Sequence, residues 1–355
     1  MPALLAKHGY ATGIIGKHHI GPLPNYAFEF GMDQSTCWAG ALGNKNTDVV
    51  PCVPVGGYNN VSRNVTQMKL NGREFFSRVT GRPFFLYVGF GDTHRCEPFQ
   101  GKLGSFCEFY GTGEFGPTIP DWTPRVYKPS EVVVPPYLPD TPTVRSDLGA
   151  MYTSWHRLDT GLGLLLAEVE AAGRANSTLT TFLSDNGLPF PSGKTNLLYQ
   201  QGSGEPMLLA APPGWHALGH AAAAARRSSA LVSHLDVLPT VLEWAGVAWP
   251  AGATAQGQPA TPSGSSLLPL LSGAAAEASW RDTAFGSHQF HGIAEYYPMR
   301  MLRTRRYTLV HNLGYTSSFG ILSDVYGTST WLDIKAGGER RDNSSGWVGG
   351  GHFSR

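Results

Sequence analysis

The chain has 355 residues, 41% hydrophobic and 15% charged, with a net charge of +1. That length holds one large α/β domain plus an appendage, and the apolar content supports a sizeable core, which excludes a disordered or fibrous chain. So even a charge balance gives no electrostatic case for nucleic acid or an anionic membrane as partner, and no run of about 18 apolar residues is present to span a bilayer.

The opening Met1-Pro2-Ala3-Leu4-Leu5-Ala6-Lys7 is too short and wrongly flanked for a signal peptide. Residues 2–8 read as the end of a helix stopped by Gly9, and residues 11–15 as a short buried strand. A helix feeding a strand with nothing before it points to a chain cut short at its N-terminus. Residues 32–60, rich in Gly and Asn and holding Cys37 and Cys52, read as a loop. A helix is predicted over 65–79 and the clearest buried strand over 83–90, followed by a Pro- and Gly-rich surface excursion over 96–144.

The strongest helical periodicity runs over 146–172, where Leu148, Met151, Trp155, Leu158, Leu162 and Leu165 share one face. Residues 178–183 read as the next strand. This alternation predicts a parallel sheet covered by helices. Farther on, 221–225 and 250–266 read as low-complexity loops and 236–245 as a helix stopped at Gly246. Short strands are expected after about residue 275, one of them over 307–311, and the Gly- and Ser-rich last twenty residues close on no domain end. Four cysteines (Cys37, Cys52, Cys96, Cys107) and sequons at Asn60, Asn64, Asn176 and Asn343 fit disulfides in an oxidising compartment, with free thiols and chance sequons as the alternative.

Three polar clusters each follow an apolar strand-like run: Gly16-Lys17-His18-His19, Asp92-Thr93-His94-Arg95 and Asp185-Asn186-Gly187. Ligands of parallel sheets bind where loops leave the carboxyl ends of strands, so three parallel strands would bring the clusters together. Each is weak alone, since Asp-Asn-Gly is first a turn sequence and Lys-x-His a common solvated loop. Jointly they suit one chemistry. Asp185 and Asn186 offer hard oxygen ligands for Ca²⁺, or Mg²⁺. Lys17 and Lys194 can hold a tetrahedral anion, and His19 and His94 can move protons near neutral pH. That set describes hydrolysis of a sulfuryl or phosphoryl group on a metal. A Walker loop fails because five residues, not four, separate Gly187 from Gly193, and no CxxC pair or His-Glu-x-x-His helix supports zinc.

Gly16-Lys17-His18-His19-Ile20-Gly21 and the strand ending in Asp185-Asn186-Gly187 resemble motifs of the sulfatase family. Longer segments are similar to the members that remove N-linked sulfate from glucosamine. They include Arg82-Pro83-Phe84-Phe85-Leu86-Tyr87-Val88, Ile119-Pro120-Asp121-Trp122-Thr123-Pro124, Pro189-Phe190-Pro191-Ser192-Gly193 and Tyr297-Pro298-Met299-Arg300. The resemblance covers most of residues 1–315. It implies an alkaline-phosphatase/sulfatase-like α/β fold: a mainly parallel central sheet flanked by helices in a catalytic domain over 1–274, and the start of a smaller antiparallel subdomain over 275–355.

The resemblance also implies roles. Asp185 and Asn186 would be Ca²⁺ ligands, and Lys17 would bind sulfate oxygens. His19 would assist turnover of the sulfated intermediate, while His94 would bind the sulfuryl group or protonate the leaving nitrogen. Lys194 would contact nucleophile and sulfate, and His288 and His291 would line the sugar pocket. Cys96 and Cys107 would form a disulfide. The implied partner is a sulfated sugar or glycosaminoglycan of the heparan-sulfate type, the implied location lysosomal or extracellular, and a homodimer is possible in principle.

The family's nucleophile is a formylglycine made in a Cys-x-Pro-Ser-Arg motif upstream of the Gly-Lys-x-His segment, with two further metal-binding aspartates near the N-terminus, and none of these occurs here. Cys52-Val53-Pro54 mimics that motif but lacks its Arg and follows Lys17. The expected outcome is a partial chain, inactive as written. The competing readings are a glycan-binding relic and an O-sulfatase or phosphodiesterase with the same metal site.

Overall fold

The computed structural model describes residues 1–17, 26, 28–33, 60–96, 106–114, 116–194, 198–212, 215, 227–250, 252, 261–291, 295–317, 320 and 322–345. In chain order the elements are α1 (Pro2–Lys7), β1 (Ala11–Gly16), β2 (Phe30–Asp33), α2 (Asn60–Arg63), α3 (Val65–Arg78), β3 (Phe84–Gly89) and α4 (Pro142–Ala171). There follow β4 (Thr180–Leu183), α5 (Gln200–Ser203), β5 (Met207–Ala210), α6 (Val237–Trp244), α7 (Leu268–Ser272), β6 (Thr283–His291), β7 (Glu295–Thr304), β8 (Thr308–Asn312), α8 (Ser323–Tyr326) and α9 (Ser329–Ser345).

β1 lies between β2 and β3, parallel to both, with Gly13 opposite Leu86 and Gly16 opposite Gly89. All six residues of β1 are buried, as its apolar run requires. α3 begins at Asn64, whose side chain accepts a hydrogen bond from the Gln67 amide at 3.0 Å, and lays Met68, Phe75 and Phe76 on the sheet. Phe75 meets Phe30, Phe76 and Phe84 edge-on at 5.6, 5.4 and 6.0 Å between ring centroids.

α4 starts four residues earlier than its periodicity suggests, because Thr141 caps it and Pro142 fits the first turn. It packs along α3 at two glycines: a Cβ on Gly72 would lie 2.9 Å from Leu165, and one on Gly161 would lie 2.5 Å from Val65.

Three expectations change. First, among the described residues β4 is not hydrogen-bonded into the sheet of β1 and β3; it pairs antiparallel with β5, Phe182 opposite Leu208. An apolar run specifies a strand but not its neighbour. Second, the excursion before α4 is a surface segment with buried anchors: most of its described residues are exposed or half-buried, but Phe106, Tyr110, Ile119, Trp122, Val132 and Leu138 are buried. The described residues 106–141 form no helix or strand, and side chains satisfy part of their backbone: Arg157 donates to the carbonyls of Cys107 and Tyr110 at 3.1 and 2.9 Å. Third, the C-terminal region holds a helix, α9, anchored by Thr330 donating to Asp147 at 2.6 Å and by Thr141 donating to Asp333 at 2.7 Å.

The expected strands after residue 275 are present as the antiparallel sheet β6–β7–β8, with Met299 and Met301 buried against Leu198. The Cys96–Cys107 disulfide is formed, with Cα atoms 5.7 Å apart. Cys37, Cys52, His19, residues 221–225 and, within the second low-complexity loop, residues 251 and 253–260 lie outside the described residues.

Candidate functional site

A cleft of about 1370 Å³ runs between β3 and β4. Among the described residues, β3 pairs only with β1 and β4 only with β5, so the other edge of each strand is unladdered. β3 is accordingly half-buried rather than fully buried, and Tyr87 is 40% exposed. The floor includes Leu162, Leu165 and Val169 of α4. Lys17, His94, Asp185, Asn186 and Lys194 all line this cleft, so each of the three strand-end clusters opens onto it although β4 is not hydrogen-bonded into the parallel sheet among the described residues.

Lys17 is delivered by a tight junction of backbones. Gly16 has φ +80°, and a Cβ there would sit 2.2 Å from the Gly89 carbonyl, which accepts the Lys17 amide at 2.8 Å. His94 and Lys194 are brought into contact, Nε2 to Nζ, at 3.0 Å. Their two turns are bolted together by Arg95, whose Nε donates to the Pro189 carbonyl at 2.6 Å. The Arg95 guanidinium is buried against Asp147 at 3.0 and 2.9 Å and lies 4.2 and 4.7 Å from the Phe106 and Phe190 rings.

Asp185 and Asn186 follow β4 directly. The Asn186 amide nitrogen donates to the Gly187 carbonyl at 3.2 Å, which leaves its Oδ1 as the acceptor. One carboxylate and one amide oxygen are the right kind of donors for a hard cation. Among the described residues no group of three or more His, Cys, Asp or Glu could hold a metal, so the fit is in donor type rather than in number.

Glu205, just before β5, was not singled out by the sequence. It lines the same cleft, and its carboxyl is pushed up to about 7, first by burial and then by the charge of Asp185, against donation from Ser184. Tyr87 is raised as well, by burial and then by Asp185. His288 lies elsewhere, in β6, with Nδ1 3.0 Å from the Tyr297 carbonyl. His291 ends the same strand, and its side chain is outside the described residues.

The ends of β1 and β3 in the parallel sheet, and the turns after β4, bring two lysines, a histidine and an oxygen-donor pair to one cleft, a set of groups chemically suited to an oxyanion. The chain belongs to the sulfatase family, whose model matches residues 1–247. It is 42% identical over 335 residues to human N-sulphoglucosamine sulphohydrolase, a match covering 94% of this chain and 61% of that protein, so the chain spans less than two thirds of that relative's length. Among solved structures it resembles a putative sulfatase from Bacteroides thetaiotaomicron (TM-score 0.54, 16% identity, 88% of this chain and 65% of the other). It likewise resembles a 2-O GAG sulfatase (TM-score 0.51, 16% identity, 88% and 64%). These similarities establish the alkaline-phosphatase-like sulfatase fold.

Proposed function

We propose that the protein to which this chain belongs hydrolyses the sulfate group from the nitrogen of glucosamine in heparan-sulfate-type glycans. The observation that carries the reading is the Lys194–His94 contact of 3.0 Å in a cleft shared with Lys17, Asp185 and Asn186. The 42% identity to the human N-sulphoglucosamine sulphohydrolase supports the choice of substrate.

Asp185 and Asn186 would hold Ca²⁺. The cation would supply Lewis-acid polarisation of the sulfuryl oxygens, and the family's formylglycine the attacking oxygen. Lys17 and Lys194, both cleft-lining cations, would orient the sulfate and offset its charge in a site where apolar walls strengthen Coulomb attraction. His94, tethered next to Lys194, would contact the sulfuryl group or exchange a proton with the leaving nitrogen. His19 would serve the release of sulfate. The Cys96–Cys107 disulfide supports a lysosomal or extracellular location.

The test is a side-by-side assay of the full-length gene product on N-sulfoglucosamine, an O-sulfated sugar and an aryl sulfate. N-sulfoglucosamine is expected to give the highest kcat/KM, and Lys194→Ala to lower it at least tenfold. Faster turnover of an O-sulfate ester would replace the reading with that of an O-sulfatase.

A further inference from the structure

The mechanism leaves unused a buried cluster behind His94. Asp92 is 8% exposed and sits between two arginines that are almost fully buried, Arg63 at the end of α2 and Arg157 on α4. Arg157 donates Nε to Asp92 Oδ2 and Nη2 to Oδ1, each at 2.8 Å, and Arg63 donates Nη1 to Asp92 Oδ1. The second Arg63 amino group, Nη2, donates to the main-chain carbonyl of His94 at 2.9 Å. The same turn is fixed from its other end, where the His94 amide bonds to the Gly91 carbonyl and the Gly91 amide to the Ser62 carbonyl, each at 2.9 Å. Ser62 and Arg63 are neighbours on α2, so one short helix grips the turn at both ends.

The imidazole is held as firmly as the backbone. His94 Nδ1 lies 2.8 Å from the Arg95 carbonyl oxygen. A carbonyl can only accept, so Nδ1 must carry the proton. Nε2 then faces the Lys194 ammonium at 3.0 Å with its lone pair, and that ammonium is the donor. A proton on both ring nitrogens would set two cations against each other across this contact.

We propose that Arg63, held by Asp92 and Arg157, is a positioning residue that locks His94 as the neutral Nδ1–H tautomer with its Nε2 lone pair aimed at Lys194. The idea rests on the oxyanion-site reading given above. It decides between the two roles open to His94: in the resting site Nε2 is an acceptor, and it can give a proton to a leaving nitrogen only after receiving one. Arg63 does this without touching the substrate. It fixes the carbonyl of His94, hence the plane of the His94–Arg95 peptide and the position from which Arg95 continues, and the Arg95 carbonyl oxygen in the next peptide selects the tautomer.

Long-range ¹H–¹⁵N correlation NMR on the purified chain labelled with ¹⁵N-histidine reads the tautomer directly, with His94→Gln identifying the His94 signals. Unmodified protein at neutral pH is expected to show a pyrrole-type Nδ1 and a pyridine-type Nε2. Arg63→Gln should mix the two tautomers and weaken sulfate binding, measured by calorimetry, roughly tenfold. Arg63→Lys, which can still donate to the His94 carbonyl, should restore most of both. An Nε2–H or doubly protonated His94 in the unmodified chain would overturn the proposal. So would an unchanged His94 spectrum in folded Arg63→Gln. If Arg63→Gln loses its cooperative melt, the spectra of the unmodified and Arg63→Lys proteins decide alone. Absence of sulfate binding by the unmodified chain would instead count against the oxyanion-site reading, and the NMR result would still decide the tautomer.

Discussion

At the scale of single residues, charge in the cleft is arranged by what it is buried against. Glu205 shows the consequence for stability. Its carboxyl titrates at about 7 in the folded chain against an ordinary 4.5, because burial and Asp185 disfavour the charged form. The folded state therefore holds this proton more tightly than the unfolded one. The associated stability is complete below about pH 4.5 and is lost as the pH rises through 7. Thermal melts in EDTA should show Glu205→Gln flattening the decline in melting temperature between these values, and an unchanged slope would refute the assignment. Lys17, His94, Asp185 and Asn186 were legible in the sequence because each follows an apolar run that ends at a strand exit. Glu205 and Arg63 were not: neither has a local signature, and the salt bridge from Arg157 to Asp92 spans 65 residues.

At the scale of elements, the pairing of α3 and α4 depends on where side chains are missing. A methyl group on Gly161 would meet Val65 at 2.5 Å and Phe90 at 2.7 Å, whereas one on Gly163, two residues along the same helix, would meet nothing within 4 Å. Gly161→Ala should cost about 1–3 kcal/mol through overpacking. Gly163→Ala should instead add roughly 0.5–1 kcal/mol by restricting the unfolded chain. Urea titration of both variants checks the opposite signs. Periodicity located α3 and α4 to within a few residues, since each carries a full apolar face. It missed α9, whose Gly337, Gly338, Ser344 and Ser345 are poor helix formers and which is held instead by Thr330 and Asp333 bonding to Asp147 and Thr141. It placed residues 106–141 on the surface but gave no sign of their buried anchors, because a segment without periodic backbone can still bury aromatic rings when arginines and threonines satisfy part of its amides and carbonyls.

At the scale of the whole molecule, the family and its α/β plan were legible from a few strand–turn segments. The pairing of β4 with β5 outside the parallel sheet was not, because strand neighbours are chosen by long-range packing. The cleft between β3 and β4 then has a second meaning, a colloidal one. Among the described residues two strand edges face it with backbone donors and acceptors unladdered, and such edges recruit other strands. A net charge of +1 supplies almost no mutual repulsion to hold copies apart. Solutions of this 355-residue polypeptide alone should therefore associate as concentration rises, visible in light scattering, with salt having little effect because there is little charge to screen. A monodisperse sample at about 100 µM would contradict that expectation. The cleft lined by Lys17, His94 and Lys194 thus also governs how crowded this polypeptide can become before it begins to pair with itself.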